Sequence, residues 1–290
     1  MIEYDDDRRF DEIRNDVGRL QSLVTLCMDM HVETDRLVLQ HPDIRVTMLN
    51  GDVSRHEQRV EFLATPLKYE GNKAWRRRLS QKNLVSLEEL GGVSAVARWL
   101  ERSKRFERAL DSLMSAGRAR QMYVENRFLN IAGAAESFHR SVYGGTYMDP
   151  PEFSKLIEEY IKITPDEHRE WLVNRIGYAN DWPLRKRLKD LADRASGAIE
   201  PLIGNKRRWS NLVSGVRNNL THLGQEPSPF GSGDLHFLTK SVYAAVRVCM
   251  LLEAGASLDV LSEKSEASNV YWYRERLKDA MGAITGALKS

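Results

Sequence analysis

From Val93 to the C-terminus, apolar residues recur at intervals of three and four, which commits most of the chain to α-helix. Val96, Trp99, Leu100, Phe106, Leu110 and Leu113 predict two helices, or one kinked helix, over residues 93–115. Phe128, Leu129, Ile131, Ala132, Ala135 and Phe138 do the same for 121–143, where Gly144-Gly145 and Pro150-Pro151 form the stop. A third helix is expected over 151–163. Thr164-Pro165-Asp166-Glu167 reads as a restart, with Thr164 as N-cap, Pro165 at the first helical position and two acids in the first turn. Stretches at 171–176 and 183–192 follow, and 199–205 is a short connector to a helix over 209–223. The loop GQEPSPFGSGD (224–234) has a Gly, Pro and Ser content that forbids regular structure. An apolar helix over 235–254 comes next. Tyr271, Trp272, Leu277 and Met281 then mark a last amphipathic helix.

The N-terminal third is less uniform. Residues 5–30 keep a helical period at Phe10, Ile13, Val17, Leu20, Val24 and Cys27, and the acidic run Asp5–Asp7 suits the positive end of a helix dipole. Between 33 and 84 the segments RLVLQ, IRVTML and QRVEFLATPL are β-branched and apolar, separated by turn-forming HPD and NGD. They predict three or four short strands. A sheet of that size is seldom self-sufficient, so it packs on the helices or lacks strands that a longer version would supply. The run KAWRRR (73–78) follows the strands. A solvated loop is its plainer reading, an RNA-facing patch the sharper one.

Composition bounds the function. With 290 residues, 42% hydrophobic and 29% charged, the chain has material for a large core and is not of the disordered class. Its net charge of +2, from 43 Lys+Arg against 41 Asp+Glu, excludes a strongly basic nucleic-acid coat but not a local basic site. Cys27 and Cys249 form no CxxC or Cys/His spacing and read as buried thiols of a cytosolic protein, with no structural zinc. No apolar run approaches the roughly 20 residues of a membrane span, and the start MIEYDDDRRF is unlike a secretory signal. A cytoplasmic protein away from membranes is expected.

The chain carries no P-loop, no Gly-x-Gly-x-x-Gly opening a helix, no His-Glu-x-x-His and no Gly-x-Ser-x-Gly. His31, His41, His56, His168 and His236 are assigned to surface, turn or satisfied core. One stretch stands apart, WSNLVSGVRNNLTHL at 209–223. Wound as a helix, it gathers Leu212, Val213, Val216, Leu220 and Leu223 on about one third of its circumference. Arg217, Asn218, Thr221 and His222 fill an opposing arc of about 140°. A surface helix ordinarily shows Lys and Glu there. An imidazole can move a proton near neutrality, and a guanidinium can hold a phosphate through two hydrogen bonds. The pair suits phosphodiester cleavage by the RNA's own 2′-hydroxyl, with His222 handling a proton, Arg217 neutralising phosphate charge and Asn218 orienting the ring or the phosphate. On spacing alone a plain polar helix face ending in a histidine is the stronger reading.

The segment VRNNLTH resembles the Arg-x(4–6)-His motif of HEPN domains, with an Asn straight after the Arg. The surrounding sequence is similar to the Apea-like HEPN branch over about residues 93–256. RFLNIAGAAESFHR resembles its long second helix with a central acid, here Glu136, and YANDWPLRKRLKDLAD resembles the stretch before the motif helix. The resemblance implies a mainly α fold, a HEPN-type helical bundle with a small, partial β-rich N-terminal region. It implies a division into 1–92, the N-terminal helix and remnant of a longer N-terminal domain; 93–256, the bundle; and 257–290, a C-terminal helix. It further implies a metal-independent endoribonuclease with no cofactor, dimerising through the motif helix so that Arg217, Asn218 and His222 of two copies form one site. Glu136 and Thr221 would support that site. RNA, single-stranded or tRNA, would be the substrate, and bacterial anti-phage defence by abortive infection the setting. The competing expectations are a non-catalytic HEPN module for dimerisation or nucleic-acid binding, and a toxin regulated by a partner.

Overall fold

The structure, a computed structural model, describes residues 2–34, 36–62, 85–119, 121–222, 228–267 and 270–289. The predicted third strand beyond Phe62, the run KAWRRR and Leu223 lie outside the described residues. The chain is mainly helical, with a small sheet near its N-terminus.

Helix α1 (Phe10–Met28) starts later than the acidic run predicts. Asp5–Asp7 lie ahead of it, and Asp11 and Glu12 supply the first-turn acids. Its far end is anchored in the core, where the buried Arg247 donates from Nε to Leu26 O (2.6 Å) and from Nη2 to Cys27 O (3.4 Å). A guanidinium at a helix C-terminus both satisfies free carbonyls and opposes the dipole.

Strands β1 (Leu37–Thr47) and β2 (Val53–Phe62) form an antiparallel hairpin through the turn at Asn50-Gly51-Asp52. Gly51 has φ +84°, a conformation that favours glycine. The sequence reading separated RLVLQ from IRVTML at His41-Pro42-Asp43; instead both lie in β1. The ladder pairs Gln40 with Arg59 and Arg45 with Glu57, so β1 advances five residues while β2 advances two. The expected turn is thus a bulge. Pro42, with no N–H to give, sits where the ladder is already interrupted.

The helical part begins with the short α2 (Leu87–Leu90) and α3 (Gly92–Arg102). A 3-10 turn over Ser103–Phe106 then leads into α4 (Glu107–Arg118), which is the predicted kink. The long α5 (Val124–Tyr143) follows, then a hairpin of α6 (Pro150–Ile163) and α7 (Asp166–Ile176). The α7 restart is displaced by one residue, since Pro165 is the N-cap and the Thr164 hydroxyl bonds back to Tyr160 O. Next come α8 (Leu184–Arg194), α9 (Ser196–Ile203), α10 (Lys206–His222) and α11 (Ser232–Ala254), closed by α12 (Leu258–Ala267) and α13 (Val270–Ala287).

The expected connector over 199–205 is mostly helix α9. Ala198, Ile199 and Ile203 are buried, and that burial outweighs the proline at 201. Helix α11 is the centre of the bundle, with Leu235, Leu238, Val242, Ala245, Val246, Cys249 and Met250 buried. Contrary to the sequence reading, it is long and apolar enough to cross a membrane. Two thirds (67%) of its apolar window is buried inside the protein, as in the core helix of a packed bundle. The same core takes in Leu23 and Leu26 of α1 and Leu277, Met281 and Ile284 of α13. Two tryptophans are buried with their N–H groups satisfied: Trp99 donates to Arg19 O and Trp209 to Ser241 Oγ, both at 2.8 Å.

Helices α6 and α7 are the exception. Neither has a buried residue, and they pack chiefly on each other. A narrow neck joins them to the bundle: Thr146 bridges Asp181, Tyr147 N–H donates to Asn180 O (2.7 Å), and Trp182 N–H to Gly145 O (3.2 Å).

Candidate functional site

Helix α10 starts where Gly204, at φ +64°, ends α9 and Asn205 Oδ1 accepts from Arg208 N–H (2.8 Å). Trp209, Leu212, Val213 and Val216 are buried and Leu220 packs on the same core, so the apolar stripe read from the sequence is the seated face. The seat decides what the other face presents. Asn218 and Thr221 are exposed, and Arg217 is 40% exposed. His222 is the last residue of α10, and its side chain lies outside the described residues.

Arg217 lies between two partners. Its Nη1 donates to Asn218 Oδ1 at 3.4 Å, and its Nη2 stands 3.9 Å from Glu136 Oε2 on α5. Glu136 is therefore the acid of α5 that faces Arg217 of the motif helix. The Thr221 hydroxyl turns back on the carbonyls of Arg217 and Asn218, both at 3.0 Å, which spends its proton within its own helix.

The charge network continues beyond the residues the sequence singled out. Arg140, one helical turn after Glu136, reaches Glu136 Oε1 at 3.4 Å and Asp181 Oδ2 at 3.2 Å. Asp181, in the neck of the α6–α7 hairpin, lies 4.0 Å from Arg187 Nη2. Arg187 is buried, and it holds the neck through Trp182 O (2.8 Å), Gly144 O (2.5 Å) and Gly145 O (3.4 Å). Burial and the nearby Arg140 both lower its pKa from the ordinary arginine value.

Below this lies His139, which is fully buried. Arg187 Nη1 lies 3.2 Å from its Nδ1, and Asp190 Oδ2 lies 3.0 Å from its Nε2. A guanidinium only donates, so Nδ1 accepts and Nε2 carries the proton that Asp190 accepts. Burial pushes the imidazole pKa down; Asp190 pulls it up, and Arg187 and Arg194 add to the lowering. Burial would raise Asp190, but hydrogen bonds from Arg194 and His139 hold its carboxyl below the usual range. The cluster is a structural ion-pair network that braces α5 against α8.

Of the histidines set aside in the sequence, His168 is exposed beside Glu167, His41 is half-buried beside Asp7, and His31 pairs with Glu33 at 3.6 Å. His236 is exposed, and the side chain of His56 lies outside the described residues. Among the described residues, no group of three or more His, Cys, Asp or Glu is assembled to hold a metal ion.

Arg140, Asp181, Arg187 and Asp190 were not reached from the sequence. For Arg140 a signal exists, since ESFHR places it four residues after Glu136 on one helix face. Asp181 gives none, because only the neck pairing brings it back to α5. The arrangement can offer two guanidiniums, from α5 and α10, to one anion on an exposed helix face. Comparison with known proteins finds that residues 129–260 match the family model described as Apea-like HEPN, a span containing Glu136, Arg140 and all of α10. No curated protein and no solved structure matches the chain.

Proposed function

We propose, from the match of residues 129–260 to the Apea-like HEPN family model, that the protein is a metal-independent endoribonuclease acting through α10. The observation that carries this reading is the juxtaposition of Arg217, Asn218 and Glu136 on the exposed side of a helix whose other side is buried. A purely structural helix gains little from a half-exposed guanidinium held at 3.9 Å from its carboxylate. Exposed pairs of that kind contribute about 0–1 kcal/mol.

In the proposed reaction the ribose 2′-oxygen bonds to the adjacent phosphorus while the bond from phosphorus to the 5′-oxygen breaks. A neutral His222 takes the 2′-hydroxyl proton, and a protonated His222 of a second copy gives one to the departing 5′-oxygen. Arg217 offsets the charge that grows on the non-bridging oxygens, and Asn218 orients the phosphate or the ring. The products are a 2′,3′-cyclic phosphate and a 5′-hydroxyl. Two copies meeting through α10 bring both pairs to one strand, which doubles the local positive charge of a chain whose net charge is only +2. Cleavage of the host's own RNA, in the cytoplasm, is the activity of an abortive-infection effector, and that is the biological role proposed.

The test is incubation of purified wild type, Arg217→Ala and His222→Ala with total RNA, followed by mapping of both ends of the fragments. Wild type should give cyclic-phosphate and 5′-hydroxyl ends with or without EDTA. Both variants should lose at least about 100-fold of the activity and keep the wild-type helical circular dichroism. Fragments with 3′-hydroxyl and 5′-phosphate ends, or undiminished cleavage by His222→Ala, would overturn the reading and leave a nucleic-acid-binding or dimerisation module.

A further inference from the structure

Two guanidiniums from different helices reach opposite oxygens of one carboxylate. Arg140 of α5 approaches Glu136 Oε1 at 3.4 Å, and Arg217 of α10 approaches Oε2 at 3.9 Å. From this geometry we infer that Arg140 is a second phosphate-binding residue beside Arg217, and that Glu136 is the counter-ion which a backbone phosphate of the nucleic acid displaces. The inference rests on the reading that RNA is the substrate, and it adds a residue that the Arg-x(4)-His spacing does not contain.

Three observations support it. First, like charges repel, and the Glu136 carboxylate lies between the two guanidiniums and offsets that repulsion. A carboxylate and a phosphodiester each offer two acceptor oxygens in the pattern a pair of arginine forks can engage. Glu136 thus occupies the place that a phosphate would take. Second, both contacts are long for charge-assisted bonds, whose ordinary length is about 2.7–2.9 Å. The carboxylate organises the two cations without saturating them. Among the described residues, the side chains that meet the two guanidinium groups are Glu136 between them, Asp181 at 3.2 Å from Arg140, and Asn218 at 3.4 Å from Arg217. Third, the site is open to a strand. Arg140 is 54% exposed and Arg217 40%, while Glu136 between them is 23% exposed.

Asp181 does not compete for this role. It approaches Arg140 from the neck of the hairpin at 3.2 Å and also faces Arg187 at 4.0 Å. It therefore acts as a positioning residue, holding the Arg140 side chain toward α10. An ordinary Glu–Arg pair four residues apart on one helix would need neither Arg217 nor Asp181, and it would add little to stability.

The experiment measures binding of a fluorescein-labelled single-stranded oligonucleotide, 2′-deoxy throughout so that it has no 2′-hydroxyl to react, by fluorescence anisotropy over a KCl series. Full-length wild type, Arg140→Gln, Arg140→Lys and Glu136→Gln are compared. Arg140→Gln should bind about tenfold more weakly. Its slope of log affinity against log salt should shrink by about 0.7 for each Arg140 that contacts the strand. Arg140→Lys keeps the charge and should keep the slope. Glu136→Gln removes the competing anion and should bind more tightly than wild type, a change that misfolding cannot produce. Wild-type affinity and slope in Arg140→Gln, or weaker binding by Glu136→Gln, overturns the inference, even where an all-ribose strand is cleaved and the ribonuclease reading stands. Weaker binding by Arg140→Gln together with an all-ribose strand left intact sinks the ribonuclease reading and keeps the phosphate site. A wild type that neither binds the deoxy strand nor cleaves the all-ribose strand overturns both.

Discussion

His139 shows how a residue type that suggests chemistry can be structural. It is fully buried, its Nδ1 accepts from Arg187 and its Nε2 donates to Asp190, so neither nitrogen is free to meet a substrate. Its burial has a thermodynamic signature. The native state holds the imidazole pKa below the unfolded value of about 6.5. Below that pH the unfolded chain takes up a proton that the native state refuses, so stability falls as pH drops through the window between the two pKa values. Above it the residue costs nothing in protonation. His31 and His236 also have lowered pKa values, chiefly through burial, and contribute in the same direction. The share of His139 is isolated by substitution. His139→Gln should be less stable than wild type at pH 7.5 yet lose less on going to pH 5.5, by up to about 1.4 kcal/mol per pH unit within the window. Urea unfolding at the two pH values measures this, and equal losses in both proteins would contradict the buried neutral assignment. Only the separation of polar from apolar positions on α10 was legible at this scale. Arg217, Asn218 and Thr221 follow from a 3.6-residue period, whereas the Arg187–His139–Asp190 cluster joins residues about 50 positions apart that no local pattern connects.

At the scale of elements, the neck between α5 and α8 is where sequence and structure part most clearly. Gly144-Gly145 reads as a helix stop, and it is one. What the pattern does not reveal is that Gly145, at φ +103°, lies against Trp182, so that an added Cβ would stand 2.8 Å from the indole ring. The left-handed backbone alone costs a non-glycine residue about 1–2 kcal/mol, and forcing the contact adds about 1–3 kcal/mol. Gly145→Ala should therefore lower the melting temperature, and limited proteolysis should then cut first within 150–176. Gly133→Ala on α5, where nothing lies within 4 Å, should raise stability by up to about 1 kcal/mol. Similar melting of both variants and wild type would mean that the neck bears no load. The same contrast between local and long-range information explains the other differences. A pattern of apolar residues foretold α3, α4, α5 and α10 within a few residues. It missed α9, because Gly197, Pro201 and Gly204 outweigh a helix that tertiary burial stabilises. For α6 and α7 the sequence predicts helical stretches at 151–163 and 171–176, yet it has no means of saying that the two helices would pack mainly on each other.

For the whole molecule, one core drawing on α1, the central bundle and α13 leaves α10 seated on one side and offered on the other. A single copy presents one Arg217 and one His222 five residues apart on the same helix, and the proposed reaction calls for two proton transfers on opposite sides of a phosphorus. That requirement makes the oligomeric state a mechanistic question with a direct answer. Arg217→Ala and His222→Ala, each inactive alone, can be mixed under conditions that allow subunit exchange. If Arg217 of one copy acts with His222 of the other, half of the randomly reassorted dimers carry one intact cross-subunit pair. With one of the two histidines missing, water must serve in one proton transfer, so the mixture should cleave RNA more slowly than wild type yet measurably above either parent. If the two residues of a single copy act together, no dimer in the mixture has a complete pair and no activity returns. Neither substitution touches the buried stripe of Trp209, Leu212, Val213 and Val216 that seats α10 in its own subunit. Size-exclusion chromatography with light scattering should give a dimer mass for wild type and for both variants, the condition for reading the mixing result. A monomer that cleaves RNA at the wild-type rate would dismiss the shared site, whatever the mixing shows. Restored cleavage would establish that the exposed arc of α10 is half of an active site, completed by the same arc of another copy.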